Sequence, residues 1–74
     1  MWMIGEAYTE YYRATGEVDS YMINVATPLN GYIIHVDNVL KVENIDYYIE
    51  GNILVFTPYC NIPEKNAEIK IQSN

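Results

Sequence analysis

Two side chains in this chain have types suited to covalent or acid–base chemistry. His35 is its one imidazole and Cys60 its one thiol. An imidazole titrates near neutral pH and can act as a general base, and a thiolate can act as a nucleophile. A reactive thiol needs a cationic neighbour or a helix N-terminus to lower its pKa. The segment "YCNIP" (59–63) offers neither, so a structural or surface His35 and an inert Cys60 are expected. A second set is acidic: Asp37, Glu43, Asp46 and Glu50. Calcium takes about six to eight oxygen ligands, but this spacing matches no EF-hand loop. Turn chemistry is the expected use, with Asp37 in a tight turn and Asp46 capping a strand. There is no glycine-rich phosphate loop and no carboxylate pair on one predictable face. The expectation is a protein that is not an enzyme, with no cofactor and no metal site.

The other chemical surplus is aromatic. Eight tyrosines, with Trp2 and Phe56, bring the aromatic content to 14%. Core packing explains Tyr21 and Tyr47. Tyrosine and tryptophan are enriched at protein interfaces, and that is the expected role of the remainder. A sugar-stacking platform is the alternative. The candidate interface residues are Trp2, Ile4, Tyr8, Tyr11, Tyr12, Ile33, Tyr48, Ile53 and Val55.

Charge and size narrow the partners. The net charge is −6 and the pI about 4.4. Phosphate neutralisation needs clustered Lys and Arg, whereas Arg13, Lys41, Lys65 and Lys70 are scattered, so no nucleic-acid partner is expected. No apolar run approaches the roughly 20 residues of a membrane span. The start, "MWMIGEAYTE", lacks the basic region of a signal peptide, and the lone cysteine fits synthesis in a reducing cytoplasm. A domain of 74 residues buries only roughly 60% of its unfolded surface. Small domains commonly rely on disulfides, a metal or association. With one cysteine and one histidine, association is the expected staple.

Period-2 alternation dominates the chain, as in half-buried strands. Strands are expected at 7–15, 20–27, 32–36, 39–42, 47–49, 52–57 and 67–72. A helix over 7–15 is the main rival, because Tyr8, Tyr11, Tyr12 and Thr15 also fall at helical spacing. Gly16, "PLNG" (28–31), "DN" (37–38) and "EG" (50–51) are turn signals. Together these predict an all-β fold: a small antiparallel β-sandwich, Ig-like, of about seven short strands. Residues 7–74 form the single domain and residues 1–6 an N-terminal arm. The inward set is expected to be Tyr21, Ile23, Val25, Ile34, Val36, Leu40, Tyr47, Ile49, Leu54, Phe56, Ile69 and Ile71. The opposite face carries Ile33, His35, Tyr48, Ile53 and Val55. That face is apolar enough to expect cover from a second sheet or a partner.

The segment "YIIHVDNVLKVENIDYYIEGNILVFT" (32–57), extended to "AEIKIQ" (67–72), resembles a β-module of bacteriophage virion appendages, notably tail and head fibres. Ile34 and Val36 match its first strand and Asp37-Asn38 its first turn. Val39-Leu40 match an apolar pair, Asp46-Tyr47 a "DY" step and Gly51-Asn52 a second turn. Leu54, Phe56 and Thr57 match the return strand, and "YRATGEVDSYMI" (12–23) the lead-in. The resemblance covers roughly residues 8–72. It departs at Asp37-Asn38, which lacks the usual glycine, and at "PEKNAE" (63–68), which lacks the usual Gly-Asp.

The resemblance implies a virion structural protein that docks onto other virion proteins, as head fibre, capsid decoration, or tail or neck component. It would be made in the host cytoplasm and assembled into the virion. A homo-oligomer is expected, with a trimer as one form. A glycan- or host-receptor-binding adhesin module is the alternative, and a small acidic inhibitor of a host enzyme is a third reading.

Overall fold

The computed structural model describes residues 8–25, 28–58 and 62–74. The expected arm, with Trp2 and Ile4, lies outside the described residues, as does Cys60. Seven strands form: β1 (Thr9–Arg13), β2 (Ser20–Met22), β3 (Tyr32–Val36), β4 (Val39–Leu40), β5 (Tyr47–Glu50), β6 (Ile53–Phe56) and β7 (Glu68–Ser73). Each falls within or against an expected segment. Over 7–15 the alternation prevails over the helical spacing. The second strand is shorter than expected, and Ile23 continues as irregular chain whose N–H donates to the Asn52 carbonyl at 2.7 Å.

The strands build two antiparallel sheets, one in the order β1-β7-β3-β4 and one in the order β2-β6-β5. The layers are those of a sandwich. The strand order is not the immunoglobulin one, in which strands A, B, E and D share a sheet and C, F and G the other. Here the final strand is inserted between β1 and β3. Its alternate residues Ile69, Ile71 and Ser73 are all buried, and a strand with a fully buried face suits a central position.

The core is the inward face of both sheets. Ile34, Leu54, Phe56, Ile69 and Ile71 have less than 2% of their side-chain surface exposed or close to it, and Tyr21, Ile23 and Tyr47 are buried beside them. Burying each such large side chain contributes about 1.5–3 kcal/mol. The aromatic part is edge-on: the Tyr21 and Phe56 rings lie 6.2 Å apart at 77°, and Tyr12 tilts onto Tyr21 at 5.4 Å. Val25, Val36 and Ile49 pack against this cluster from its margin.

Register follows from the turns. Asp37 and Asn38 both adopt left-handed backbone, with φ of 51° and 68°, the requirement of a type I′ turn. They pair Val36 with Val39 and His35 with Leu40. Leu40, expected in the core, therefore shares the outer face with His35 and is 60% exposed. The expectation fails because a two-residue turn fixes Val39, and not Leu40, on the side of Val36. In the second hairpin Gly51 takes φ 64° while Asn52 does not enter the left-handed region, the type II′ pattern. It pairs Tyr47 with Phe56 and Ile49 with Leu54, the expected core register.

Candidate functional site

The period of 2 that fills the core also sets the two outer faces. On the three-stranded sheet the registers align Ser20, Val55 and Tyr48 in one row and Met22, Ile53 and Glu50 in the next. Four of these six side chains are apolar or aromatic. Met22 is 52% exposed and Tyr48 41%, with Ile53 and Val55 half-buried between them. On the four-stranded sheet the rows are Thr9, Gln72 and Ile33, then Tyr11, Lys70, His35 and Leu40. This second face mixes charge with apolar groups.

The expected interface residues are thus divided. Tyr48, Ile53 and Val55 share one outer face, and Tyr11 and Ile33 share the opposite one. Tyr12 points inward: its ring packs on Tyr21, and its hydroxyl donates to the Met22 carbonyl at 2.6 Å. Tyr8 lies at one end of the sandwich, beside Leu29, Ser73 and Asn74, around a cleft of about 490 Å³. Leu29 there is 95% exposed. Met22, which belongs to the same face as Tyr48, Ile53 and Val55, is absent from the expected interface set. The alternation from Tyr21 was the signal that could have included it.

Charge is divided as well. The three-stranded sheet and its connections (17–22 and 43–57) carry Glu17, Asp19, Glu43, Asp46 and Glu50 and no Lys or Arg. Arg13, Lys41, Lys65 and Lys70 all belong to the four-stranded sheet and its connections, where Glu10, Asp37, Glu64 and Glu68 balance them. The apolar outer face of β2-β6-β5 is therefore rimmed by acid, and the opposite layer is close to neutral.

The acidic loop residues act as turn groups. The Asp37 carboxylate accepts the Glu68 N–H at 2.9 Å, and the Asp37 N–H donates to the Glu68 carbonyl at 2.8 Å. Asp46 accepts the Val42 N–H at 2.9 Å just before β5. Among the described residues no three His, Cys, Asp or Glu side chains come together as a metal-binding group. His35 lies half-buried on the outer face, its Nδ1 buried without a hydrogen-bond partner, and the Tyr21 hydroxyl is likewise buried and unpartnered. A polar cluster closes the β1 side of the sandwich: Glu10 accepts the Asn24 N–H at 2.6 Å, and the Asn24 amide donates to the Tyr12 hydroxyl at 3.2 Å. Burial, then the Glu10 charge, raises the Tyr12 pKa above the ordinary tyrosine value. Burial, then Glu43 and Asp46, does the same for Tyr47. Both shifts hold the neutral phenol, which suits packing and not nucleophilic use.

No protein-family model and no curated protein matches this chain.

A further apolar surface follows β3. Val39, Leu40, Val42 and Ile45 are each at least half exposed. The four-stranded sheet is one strand wider than its partner sheet, and β4 neighbours only β3. Val39 also lines a cleft of about 320 Å³ with Val36, Asp37, Lys41, Ile62, Pro63, Glu64 and Ala67.

Proposed function

We propose that this chain is a non-enzymatic structural module of a bacteriophage virion, held to other virion proteins through its apolar outer surface. The observation that carries the docking part is the outer face of β2-β6-β5, where exposed Met22 and Tyr48 stand with half-buried Ile53 and Val55 in one apolar patch. Contiguous apolar patches rimmed by polar groups mark interaction surfaces. The acidic rim suits a partner surface with basic residues at its margin, since complementary potentials steer association and fix register. The assignment to a virion rests on the resemblance of residues 8–72 to fibre-type β-modules. The glycan-binding alternative draws less support. Tyr8, Tyr11 and Tyr48 lie at one end and on two opposite faces, so they make no continuous stacking platform.

The test is quantitative mass spectrometry of purified phage particles from cells that make this chain, run on the natural chain and on Ile53→Lys. The natural chain should be present at a fixed copy number. The variant should keep its melting temperature, because residue 53 points outward, and be lost from particles. Absence of the natural chain from particles overturns the virion assignment. Normal incorporation of folded Ile53→Lys overturns the docking face.

A further inference from the structure

The sandwich has four lateral edges, and three of them are short or covered. The β4 edge is two residues long. The β5 edge meets the 43–46 turn, where the Asn44 N–H donates to the Tyr47 carbonyl at 2.6 Å and Glu43 bridges Tyr47. The β2 edge is closed by β1 side chains, with the Met22 carbonyl taking the Tyr12 hydroxyl and the Asn24 N–H held by Glu10. The fourth edge is β1.

The backbone of β1 faces two ways. The Ser73 N–H donates to the Tyr8 carbonyl at 2.7 Å, and the Ala14 N–H donates to the Ala67 carbonyl at 2.8 Å. In an antiparallel pair, residues alternate between exchanging hydrogen bonds with the neighbour and pointing away from it. Residues 8, 10, 12 and 14 therefore bond toward β7, while Thr9, Tyr11 and Arg13 turn their N–H and C=O groups outward. No described residue pairs with that outward side. Natural edges are normally blunted with Pro, Lys, a bulge or extreme shortness. β1 is five residues long, reads TEYYR, and has no Pro, Lys or bulge. Its two charges are engaged within the chain and not held against a newcomer: Glu10 accepts the Asn24 N–H, and the Arg13 guanidinium donates to the Asn66 carbonyl at 2.9 Å. Its Thr and Tyr residues also favour extended backbone.

We infer that β1 is a self-pairing edge, joining a second copy of this chain across a two-fold axis at Tyr11. The pairing is antiparallel, with Tyr11 opposite the second copy's Tyr11 and Thr9 opposite its Arg13. All of the outward residues then exchange both backbone hydrogen bonds, and the two four-stranded sheets become one continuous sheet. A two-fold contact of this kind is self-complementary and closed. The side chains agree with it. On the outer face the rows read Lys70, Tyr11, Tyr11, Lys70, and Glu68, Arg13, Thr9, Gln72, so no like charges stand directly opposite at the joint. Such opposition would be destabilising, and a facing aromatic pair is favourable. The approach is also made by the near-neutral layer, away from the acidic rim of the other sheet. The inference stands independently of the virion assignment.

Sedimentation velocity over a range of concentrations should show a monomer–dimer equilibrium that 0.5–1 M salt, as an order-of-magnitude choice well above physiological strength, does not abolish. Tyr11→Pro removes only an outward N–H, which edge strands tolerate, and should leave the monomer alone. Cross-linking fixes the register. In a Cys60→Ser background, Tyr11→Cys should oxidise to a covalent dimer, since residues paired in this way hold their Cα atoms about 5.5 Å apart. Thr9→Cys and Arg13→Cys should each fail alone and cross-link when mixed. A monomer at every concentration overturns the inference, as does self-cross-linking of Thr9→Cys that matches Tyr11→Cys. If Tyr11→Pro lowers the melting temperature, the cross-linking pattern of the other variants decides alone.

Discussion

Two hairpins with turns of the same length, two residues each, have opposite fates. The β3–β4 hairpin turns through Asp37 and Asn38, both in left-handed backbone, and leads into Val39 and Leu40, which are 57% and 60% exposed. The β5–β6 hairpin turns through Gly51 and Asn52 and buries Tyr47, Leu54 and Phe56 almost completely. Both have alternating apolar residues and a two-residue turn. The difference lies in what covers them. The inward residues of β5 and β6 share one core with Ile34, Ile69 and Ile71 of the four-stranded sheet, whereas neither residue of β4 joins it. A tight turn sets which face a residue is on; a second layer decides whether that face is dry. The first hairpin is held instead by its turn, through the paired backbone and carboxylate bonds of Asp37 to Glu68.

The largest expected contrast is between the two apolar sets. Phe56→Ala should cost about 3–5 kcal/mol, the usual range for a buried aromatic, while Leu40→Ala should fall within about 0.5 kcal/mol, as for a surface change. Denaturant melts of the isolated chain measure both. A domain of this size has little reserve, so Phe56→Ala should leave much of the chain unfolded. Equal costs at the two positions would mean that β4 is covered after all.

Turn chemistry gives the next contrast. Asp37→Ala puts a Cβ-bearing residue without a local hydrogen-bonding side chain at φ 51° and orphans the Glu68 N–H. About 1–2 kcal/mol is expected from the left-handed backbone and the lost bond together. Asn52→Ala, at ordinary φ and with only its backbone carbonyl engaged by Ile23, should stay within about 0.5 kcal/mol. Chemical melts that rank these two the other way round would break the distinction between the turn-held and the layer-held hairpin. In the same turn, Asn38→Gly replaces an asparagine at φ 68° with the residue type I′ turns favour at that place. A gain of a few tenths of a kcal/mol, read as a small rise in melting temperature, is expected.

The same contrast explains what was legible in the sequence. Alternation placed all seven strands and most of the core, because side-chain direction in a strand is set by parity alone. Even-numbered alternation carried straight through Asp37-Asn38 misplaces Leu40, because a two-residue turn pairs residue i with i+3 and so reverses the parity of the inward face. The outward reading of Tyr12 fails for a related reason: two adjacent tyrosines, Tyr11 and Tyr12, give no sign of which one faces in, and the face is fixed by pairing with Ile69, more than fifty positions away. The apolar outer set was read as one face because a single sequence does not show that Ile33 and Val55 belong to different sheets. The charge asymmetry was equally hidden. Lysines and acids are interspersed along the chain, and only the insertion of β7 between β1 and β3 gathers the four basic residues into one layer.

The smallest expected effect is confined to alkaline pH, and it belongs to the layer-held hairpin. Tyr47 is buried opposite Phe56, and burial, then the charges of Glu43 and Asp46, raises its pKa above the ordinary 10.0. A raised folded-state pKa means that the native state keeps the phenol proton after the unfolded chain has lost it. The contribution to stability is therefore fully present below pH 10 and is lost as pH rises through the folded-state value, because there the unfolded state binds fewer protons than the native one. Melting curves taken from pH 8 upward, on the order of half a unit apart so as to bracket the tyrosine range, should be flat at first and then decline. Tyr47→Phe should flatten part of that decline. Tyr12 is raised for similar reasons, by burial and then Glu10, so Tyr12→Phe should remove a further part, at the loss of its bond to the Met22 carbonyl. A Tyr47→Phe curve that falls as steeply as the natural one would show that the β5–β6 hairpin is open to water on its inner face, and would remove the difference between the two hairpins.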